Sequence, residues 1–401
     1  MTAEGSRPLP PADPAAGSAA GSAAEDPLAS LAGELDQVED VILALVQPGT
    51  NAVGEALAHL AQAGGKRLRP LLALASAHAA RPASPDLLER AVRAAAAVEL
   101  LHVGTLYHDD VMDEAQTRRG APSVNAKWGN SAAILGGDVL IARAMGVVAS
   151  LGADETAVLA STLEDLCGGQ AMETRWLFDI SRTREAYFAA VERKTAALFG
   201  ASCQLGAIAV GWSRTDAAAF GSFGRQIGVA FQIVDDVLDL IVTGDLLGKP
   251  PGTDLREGVY TLPVIIALER EPALRRLLAK PCTMHELERA RSAVLGSGAT
   301  ESCLRTAGSY ITEAQRKLTA SPDVDIRYVQ ALVGLAESLI ARGGERSPTP
   351  STAPAPVRDI MRHWQDPWSP PPSGSQPDDP TATNGGGQTG RTGQTEGVAG
   401  C

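Results

Sequence analysis

Two short segments hold carboxylates at a spacing that can do chemistry. Tyr107-His108-Asp109-Asp110-Val111-Met112-Asp113-Glu114 and Phe231-Gln232-Ile233-Val234-Asp235-Asp236-Val237-Leu238-Asp239 both lie in apolar sequence with helical periodicity. On a helix Asp109 and Asp113 stand one above the other, about 6 Å apart along the axis, and Asp235 and Asp239 repeat that geometry. Asp110 and Asp236 point about 100° away from their neighbours and rank below them. One such pair is ordinarily a solvated helix face. Two pairs on apolar helices change the balance, because like charges about 4 Å apart repel by about 4 kcal/mol at an effective dielectric near 20. Facing clusters therefore require cations or protons. Oxygen-only ligands select hard metals, and Mg²⁺ takes one or two carboxylates, keeps waters and completes its shell with phosphate oxygens. The implied substrate is a diphosphate or a similar polyanion.

Basic residues supply the matching half. Gly64-Gly65-Lys66-Arg67-Leu68-Arg69-Pro70 places three cations after a glycine pair, Arg118-Arg119 follows the first acidic motif, Lys194-Thr195 precedes the second, and Lys249 follows it in Gly248-Lys249-Pro250. Any one basic pair is more often solvated surface; their pairing with two acidic motifs points to diphosphate binding. The stretch Gly244 to Lys249 is not a phosphate-binding P-loop, which needs four residues between the glycines and a Ser or Thr after the lysine, where Pro250 stands. Neither a strand-borne GxGxxG fingerprint nor a Gly-x-Ser-x-Gly elbow occurs, so ATP, NAD and serine-hydrolase chemistry drop out.

The elements that must carry these groups are helices. The 401 residues are 44% hydrophobic but only 4% aromatic, and alanine is abundant, which favours helix over sheet and an all-α fold. With 35 Lys plus Arg against 47 Asp plus Glu, the net charge of −12 argues against a nucleic-acid footprint. Five cysteines without a CxxC pair indicate neither a disulfide framework nor a zinc ribbon and suit a reducing cytoplasm. No basic-then-apolar leader is visible, and charges or glycines interrupt each alanine-rich run, so no transmembrane segment is expected. Residues 1–27 and 343–401 hold 15 of the 26 prolines, and both are expected to be disordered. A short amphipathic piece from Val357 to Trp368 interrupts the second tail. Between 28 and 342 lies one domain of ten or so helices, with breaks expected at Gly64-Gly65, Arg81 to Pro85, Gly120 to Pro122, Gly152, Gly168-Gly169, Gly244 to Gly252 and Ser321-Pro322. A single helical domain of that size suggests faces that pack against a second copy. Asp138 is read as a helix cap after Gly136-Gly137, Trp128 and Trp212 as core or boundary aromatics, and Cys167 and Cys203 as buried thiols.

Taken in order, Gly-Gly-Lys-Arg-Leu-Arg-Pro, His-Asp-Asp-Val-Met-Asp with Thr-Arg-Arg-Gly, Lys-Thr, and Phe-Gln-Ile-Val-Asp-Asp-Val-Leu-Asp with a distal Gly-Lys-Pro resemble the trans-polyprenyl diphosphate synthase family from about residue 28 to 342. The resemblance implies the family's isoprenoid synthase bundle around a deep central cavity, a homodimer, and two to three Mg²⁺ ions per site. It implies metal-binding roles for Asp109, Asp113, Asp235 and Asp239. Lys66, Arg69, His102 and Arg119 resemble the isopentenyl diphosphate pocket. Arg118, Lys194, Thr195, Gln232 and Lys249 resemble the groups that bind the allylic diphosphate or face the developing cation. The implied reaction ionises the allylic diphosphate, and the alkene of isopentenyl diphosphate attacks the resulting cation. Proton loss to the released diphosphate follows, so no side-chain base is sought. The product could then pass to membrane enzymes.

Product length should depend on the face below Asp109, where Thr105, Leu101 and Val98 lie about 6, 12 and 16 Å down the helix with Gly104 beside them. In family members with short products a bulky residue near Thr105 or Gly104 closes the floor. Both are small here, which favours products longer than C20, such as a quinone side chain, over a geranylgeranyl (C20) product. A terpene cyclase on the same bundle would need neither the second aspartate motif nor Lys66, Arg69 and Arg119. A non-catalytic subunit of a heteromeric synthase would be expected to lack the acidic motifs, and a binding-only diphosphate sensor is the most distant alternative.

Overall fold

The computed structural model describes residues 26–47, 52–62, 67–80, 84–118, 121–241, 251–319 and 323–344, all within one compact unit. The two segments expected to be disordered fall almost wholly outside the described residues, as do the amphipathic piece 357–368 and Lys66, Arg119 and Lys249.

The fold is all-α. In chain order the helices are α1 (Ala32–Leu45), α2 (Ala52–Gln62), α3 (Leu68–Ala80), α4 (Pro85–Met112), α5 (Val124–Trp128), α6 (Asn130–Leu151), α7 (Ala153–Arg175), α8 (Arg184–Val191), α9 (Ala197–Ala209) and α10 (Ala218–Ile241). They continue with α11 (Thr253–Glu257), α12 (Leu262–Arg270), α13 (Pro272–Leu278), α14 (Met284–Gly296), α15 (Ala299–Thr319) and α16 (Ile326–Gly344). The only strands among the described residues are Thr117–Arg118 and Ala121–Pro122, a minimal antiparallel pair.

The two motif-bearing helices are central. Pro85 starts α4 where its missing N–H costs nothing, and the helix runs on for 28 residues. Its most extensive partner is α6, while α10 packs chiefly on α9 and α15, and α3 on α9. Helices α3 and α9 are buried almost all round, as expected of apolar helices surrounded by others.

Close helix approach corrects several expectations. The pair Gly168-Gly169 does not end a helix but lies within α7, because a Cβ at Gly169 would stand 2.3 Å from the Lys194 backbone nitrogen. Gly136-Gly137 likewise lies inside α6, so Asp138 is an exposed mid-helix residue and not a cap. A Cβ at Gly137 would meet His108 Nε2 at 2.4 Å and the Gly104 carbonyl at 2.9 Å, which explains why the glycines are tolerated there. With its glycines absorbed, α6 is 22 residues long and apolar enough to cross a membrane by length and composition, yet it packs in the bundle against α4. Cys167 is exposed on α7, whereas Cys203 is buried as expected. Trp128 meets the His59 ring edge-on, and Trp212 Nε1 donates to the Ala80 carbonyl at 3.0 Å.

Candidate active site

Helix α4 ends at the first motif. Asp113 is its C-cap, with a backbone N–H that donates to the Asp109 carbonyl at 2.8 Å, so the two carboxylates keep their one-turn offset. Asp109 is half-buried and Asp113 exposed. Burial pushes the Asp109 carboxyl up to about 6, Lys194 opposes that rise, and Asp113 adds to it. Asp110 turns away into the core, where it is fully buried and accepts from Arg118 Nε at 2.7 Å. The Thr117–Arg118 strand delivers that guanidinium. Arg118 is therefore paired with Asp110 while its side chain stays partly exposed, and it also lowers the proton affinity of Asp109.

The second motif divides the same way. Asp235 is exposed and Asp239 half-buried, whereas Asp236 is buried and accepts from Tyr187 Oη at 2.5 Å and Gln232 Nε2 at 2.8 Å. Burial raises the Asp236 carboxyl to about 7 against those two hydrogen bonds. Asp239 accepts backbone N–H bonds from Thr253 and Asp254 at 3.2 and 3.3 Å, tethering the start of α11. Asp254 is thereby held half-buried beside Asp239, and desolvation with the neighbouring aspartates holds its carboxyl well above the usual range.

Between the motifs the helix from α8 into α9 opens into a π-turn, Glu192–Ala196. Such turns recur at functional sites because they re-aim side chains. This one is squeezed between Gly169 of α7 and Gly228 of α10, where a Cβ would stand 2.7 Å from Ala196 Cα. It presents Lys194 and Thr195. Lys194 pairs with Glu173 near the end of α7; burial alone would lower its ammonium, but Glu173, Asp109 and Asp113 raise it above the ordinary value. Thr195 Oγ1 donates to Gln232 Oε1 at 2.8 Å. Glu173 acts on Asp109 of the first motif and on Asp236 and Asp254 beside the second. Glu173 thus acts electrostatically on both motifs, and its partner Lys194 on the first.

Sequence reasoning missed Glu173, Asp254, Arg182 and Tyr187. Only the glycine pair inside α7 signalled the first, through the close backbone contact it permits. Arg182 is buried, donates from Nη1 to the Tyr260 carbonyl at 3.2 Å and lies over the Tyr187 ring. Burial lowers its guanidinium, while Glu173 and Asp236 hold the charge on it.

In the basic motif, Arg67 is used structurally. It adopts φ +44° and pairs with Glu39 and the buried Glu99, each at 2.7 Å, tying α1 to α4. Arg69 is partly buried with its guanidinium 5.0 Å from the Phe199 ring centroid. His102 lies part-buried on α4, where its carbonyl accepts from Thr105 Oγ1 at 2.8 Å. Below Asp109, Thr105 is partly accessible, but Leu101 and Val98 are fully buried. Gly104 faces α6, where a Cβ would be 2.9 Å from Ile141 Cγ1, so its smallness serves the helix crossing.

The donor set fits hard divalent cations. It is all oxygen, burial works against the charge on the Asp109 carboxylate in a way a bound cation would offset, and Gln170 Oε1, one turn before Glu173, is buried without a hydrogen-bond partner among the described residues. Among those residues no three His, Cys, Asp or Glu side chains already form a metal cage. That suits Mg²⁺, whose shell is completed by water and substrate phosphate oxygens.

The family profile described as Polyprenyl synthetase matches residues 50–294, more than half of the chain. The chain belongs to the polyprenyl synthetase family. This polyprenyl synthetase is 39% identical over 313 residues to nonaprenyl diphosphate synthase of Mycobacterium tuberculosis, covering 77% of this chain and 92% of that protein. It is 39% identical over 295 residues to heptaprenyl diphosphate synthase component 2 of Geobacillus stearothermophilus, covering 73% and 91%. The crystal structure of a polyprenyl synthase from Caulobacter crescentus, complexed with calcium and isoprenyl diphosphate, superposes with a TM-score of 0.73 at 32% identity, covering 80% of this chain and 98% of that one. As a polyprenyl synthetase, this protein is a prenyltransferase with the all-α fold of the isoprenyl diphosphate synthases.

Proposed function

We propose that the protein is a Mg²⁺-dependent trans-prenyltransferase that condenses isopentenyl diphosphate with an allylic diphosphate to make a polyprenyl diphosphate longer than C20. The observation that carries this reading is the Lys194–Glu173 ion pair, whose lysine acts on the first aspartate motif and whose glutamate acts on both. Asp109, Asp113, Asp235 and Asp239 would hold the metal, which when bound neutralises the departing diphosphate. Lys194 adds a fixed positive charge at the same place, and with Lys249 and Arg118 it forms the cationic side of the allylic site. Arg69, its guanidinium held over Phe199, binds isopentenyl diphosphate with Lys66, Arg119 and His102. Thr195 and Gln232 turn oxygens toward the carbon that becomes positive. The calcium and isoprenyl diphosphate in the Caulobacter crescentus structure support a divalent metal and this substrate class.

The nonaprenyl and heptaprenyl relatives favour a long product. Fully buried Leu101 and Val98 mean that a chain growing past Thr105 has to displace neighbouring side chains. A homodimer is supported by the outer face of α6, where Ile134 and Leu135 are 44% and 51% exposed and, beyond the exposed Asp138, Ala142, Gly146 and Ala149 are exposed as well. A cytoplasmic location fits the unpaired cysteines of the described residues. Incubation with Mg²⁺, labelled isopentenyl diphosphate and each allylic primer from C5 to C20, followed by chain-length analysis, tests catalysis, primer and product together.

A further inference from the structure

We propose that Tyr187 and Asp236 form a positioning pair that fixes the Gln232 amide and, through it, the Thr195 hydroxyl, so that both oxygens face the reacting carbon of the allylic substrate. The inference rests on the reaction assigned above and adds residues to it that no motif marks.

The geometry is a single chain of hydrogen bonds. Tyr187 Oη donates to Asp236 Oδ2 at 2.5 Å, Gln232 Nε2 donates to Asp236 Oδ1 at 2.8 Å, and Thr195 Oγ1 donates to Gln232 Oε1 at 2.8 Å. A side-chain amide can present either end, and only its partners decide which. Asp236 Oδ1 accepts whether or not Oδ2, beside the Tyr187 hydroxyl, carries a proton, so it draws the NH₂ group of Gln232 and turns the carbonyl oxygen toward the π-turn. That oxygen takes the Thr195 hydrogen. Because Thr195 Oγ1 donates in that bond, its lone pairs are not used by it.

Each link also polarises the next in the same sense, drawing electron density from the buried carboxyl toward the two oxygens. Dipoles aimed in advance at a developing positive charge are worth more than ones that must reorient during the reaction. Tyr187 anchors the chain. It is fully buried on α8, whose N-cap Thr183 accepts from the Ala186 N–H at 3.2 Å, and its ring packs edge-on against Phe188. Its hydroxyl occupies the second Asp236 oxygen and so keeps that carboxylate from rotating away from Gln232. Arg182 lies over the Tyr187 ring, and this buried carboxylate helps to keep its guanidinium charged.

The test is a double-mutant cycle on the full chain with Mg²⁺, isopentenyl diphosphate and an allylic primer, with thermal unfolding to verify the fold of each variant. Tyr187→Phe is expected to lower kcat about tenfold, leave KM for isopentenyl diphosphate within about twofold, and change kcat less than about twofold once Gln232→Ala is present. A merely structural tyrosine would cost the same in both backgrounds. The proposal is overturned if Tyr187→Phe leaves kcat within about twofold of the unaltered enzyme, or if the losses are simply additive. Should Tyr187→Phe fail to fold, Asp236→Asn is carried through the same cycle with the same criteria; failure of both to fold shows a structural pair and likewise overturns the proposal. An inactive parent protein would refute the assigned reaction, whereas additive losses in an active one refute only the positioning pair.

Discussion

Lys194 of the π-turn pairs with Glu173 of α7, and this half-buried ion pair lies within electrostatic reach of both aspartate motifs. Removing the cation leaves Glu173 and Asp109 facing one another across a partly desolvated site. Lys194→Ala is therefore expected to lower kcat/KM for the allylic diphosphate by about 10²–10³-fold, or about 3–4 kcal/mol of transition-state stabilisation. It should also raise the Mg²⁺ concentration needed for half-maximal rate. Steady-state kinetics across a Mg²⁺ titration provide the measurement.

The raised Asp109 carboxyl gives a pH dependence of definite sign. Its folded-state value near 6 lies above the unfolded value, so the folded protein holds the extra proton between the two. Stability without metal is present below the unfolded value and is lost as pH rises toward 6; Asp236, near 7, acts in the same direction. Mg²⁺ must displace that proton, so its apparent affinity should fall about tenfold per pH unit below pH 6. Thermal unfolding from pH 4 to 8, with and without Mg²⁺, should show metal stabilisation growing with pH. Asp109→Asn should flatten the metal trend and lessen the metal-free one, leaving the part due to Asp236.

Chain length separates the residues under Asp109. Thr105 is partly accessible, so Thr105→Phe should shorten the product while leaving the first condensations intact. Leu101→Ala, which removes a fully buried side chain from the same helix face, should lengthen it or leave it unchanged, at a stability cost of about 2–5 kcal/mol. Gly104→Phe should instead disrupt the α4–α6 crossing, because even a Cβ meets Ile141 at 2.9 Å. Product chromatography together with melting temperatures distinguishes these outcomes.

The apolar outer face of α6 predicts self-association. Leu135→Glu places a charge on that exposed face and should convert a dimer into a monomer, read by light scattering of the purified chain. A parent protein that is already monomeric, and that becomes active only with a second chain, would point to a heteromeric synthase.

The helical class and the placing of both aspartate motifs on helices were legible in the sequence because they depend on local period and residue type. Asp109 and Asp113 keep their one-turn offset, and Asp110 and Asp236 turn inward as helical geometry requires. What could not be read depends on which backbones touch. Gly168-Gly169 and Gly136-Gly137 look like helix ends in one dimension, and in three they are the contacts that admit Lys194 and His108. Arg67 shares a basic motif with Arg69, yet Glu39 and Glu99, distant in sequence, take its charge. Glu173 and Tyr187 belong to no motif; their importance comes from packing against the π-turn and Asp236.

The central claim is that the two aspartate motifs act together on one diphosphate, and product formation by Asp109→Ala and Asp235→Ala tests it most directly. With saturating Mg²⁺, labelled isopentenyl diphosphate and an allylic primer, the account predicts a long-chain polyprenyl diphosphate from the unaltered protein. Each variant should remain folded with little turnover. Near-normal product formation by either variant would contradict it.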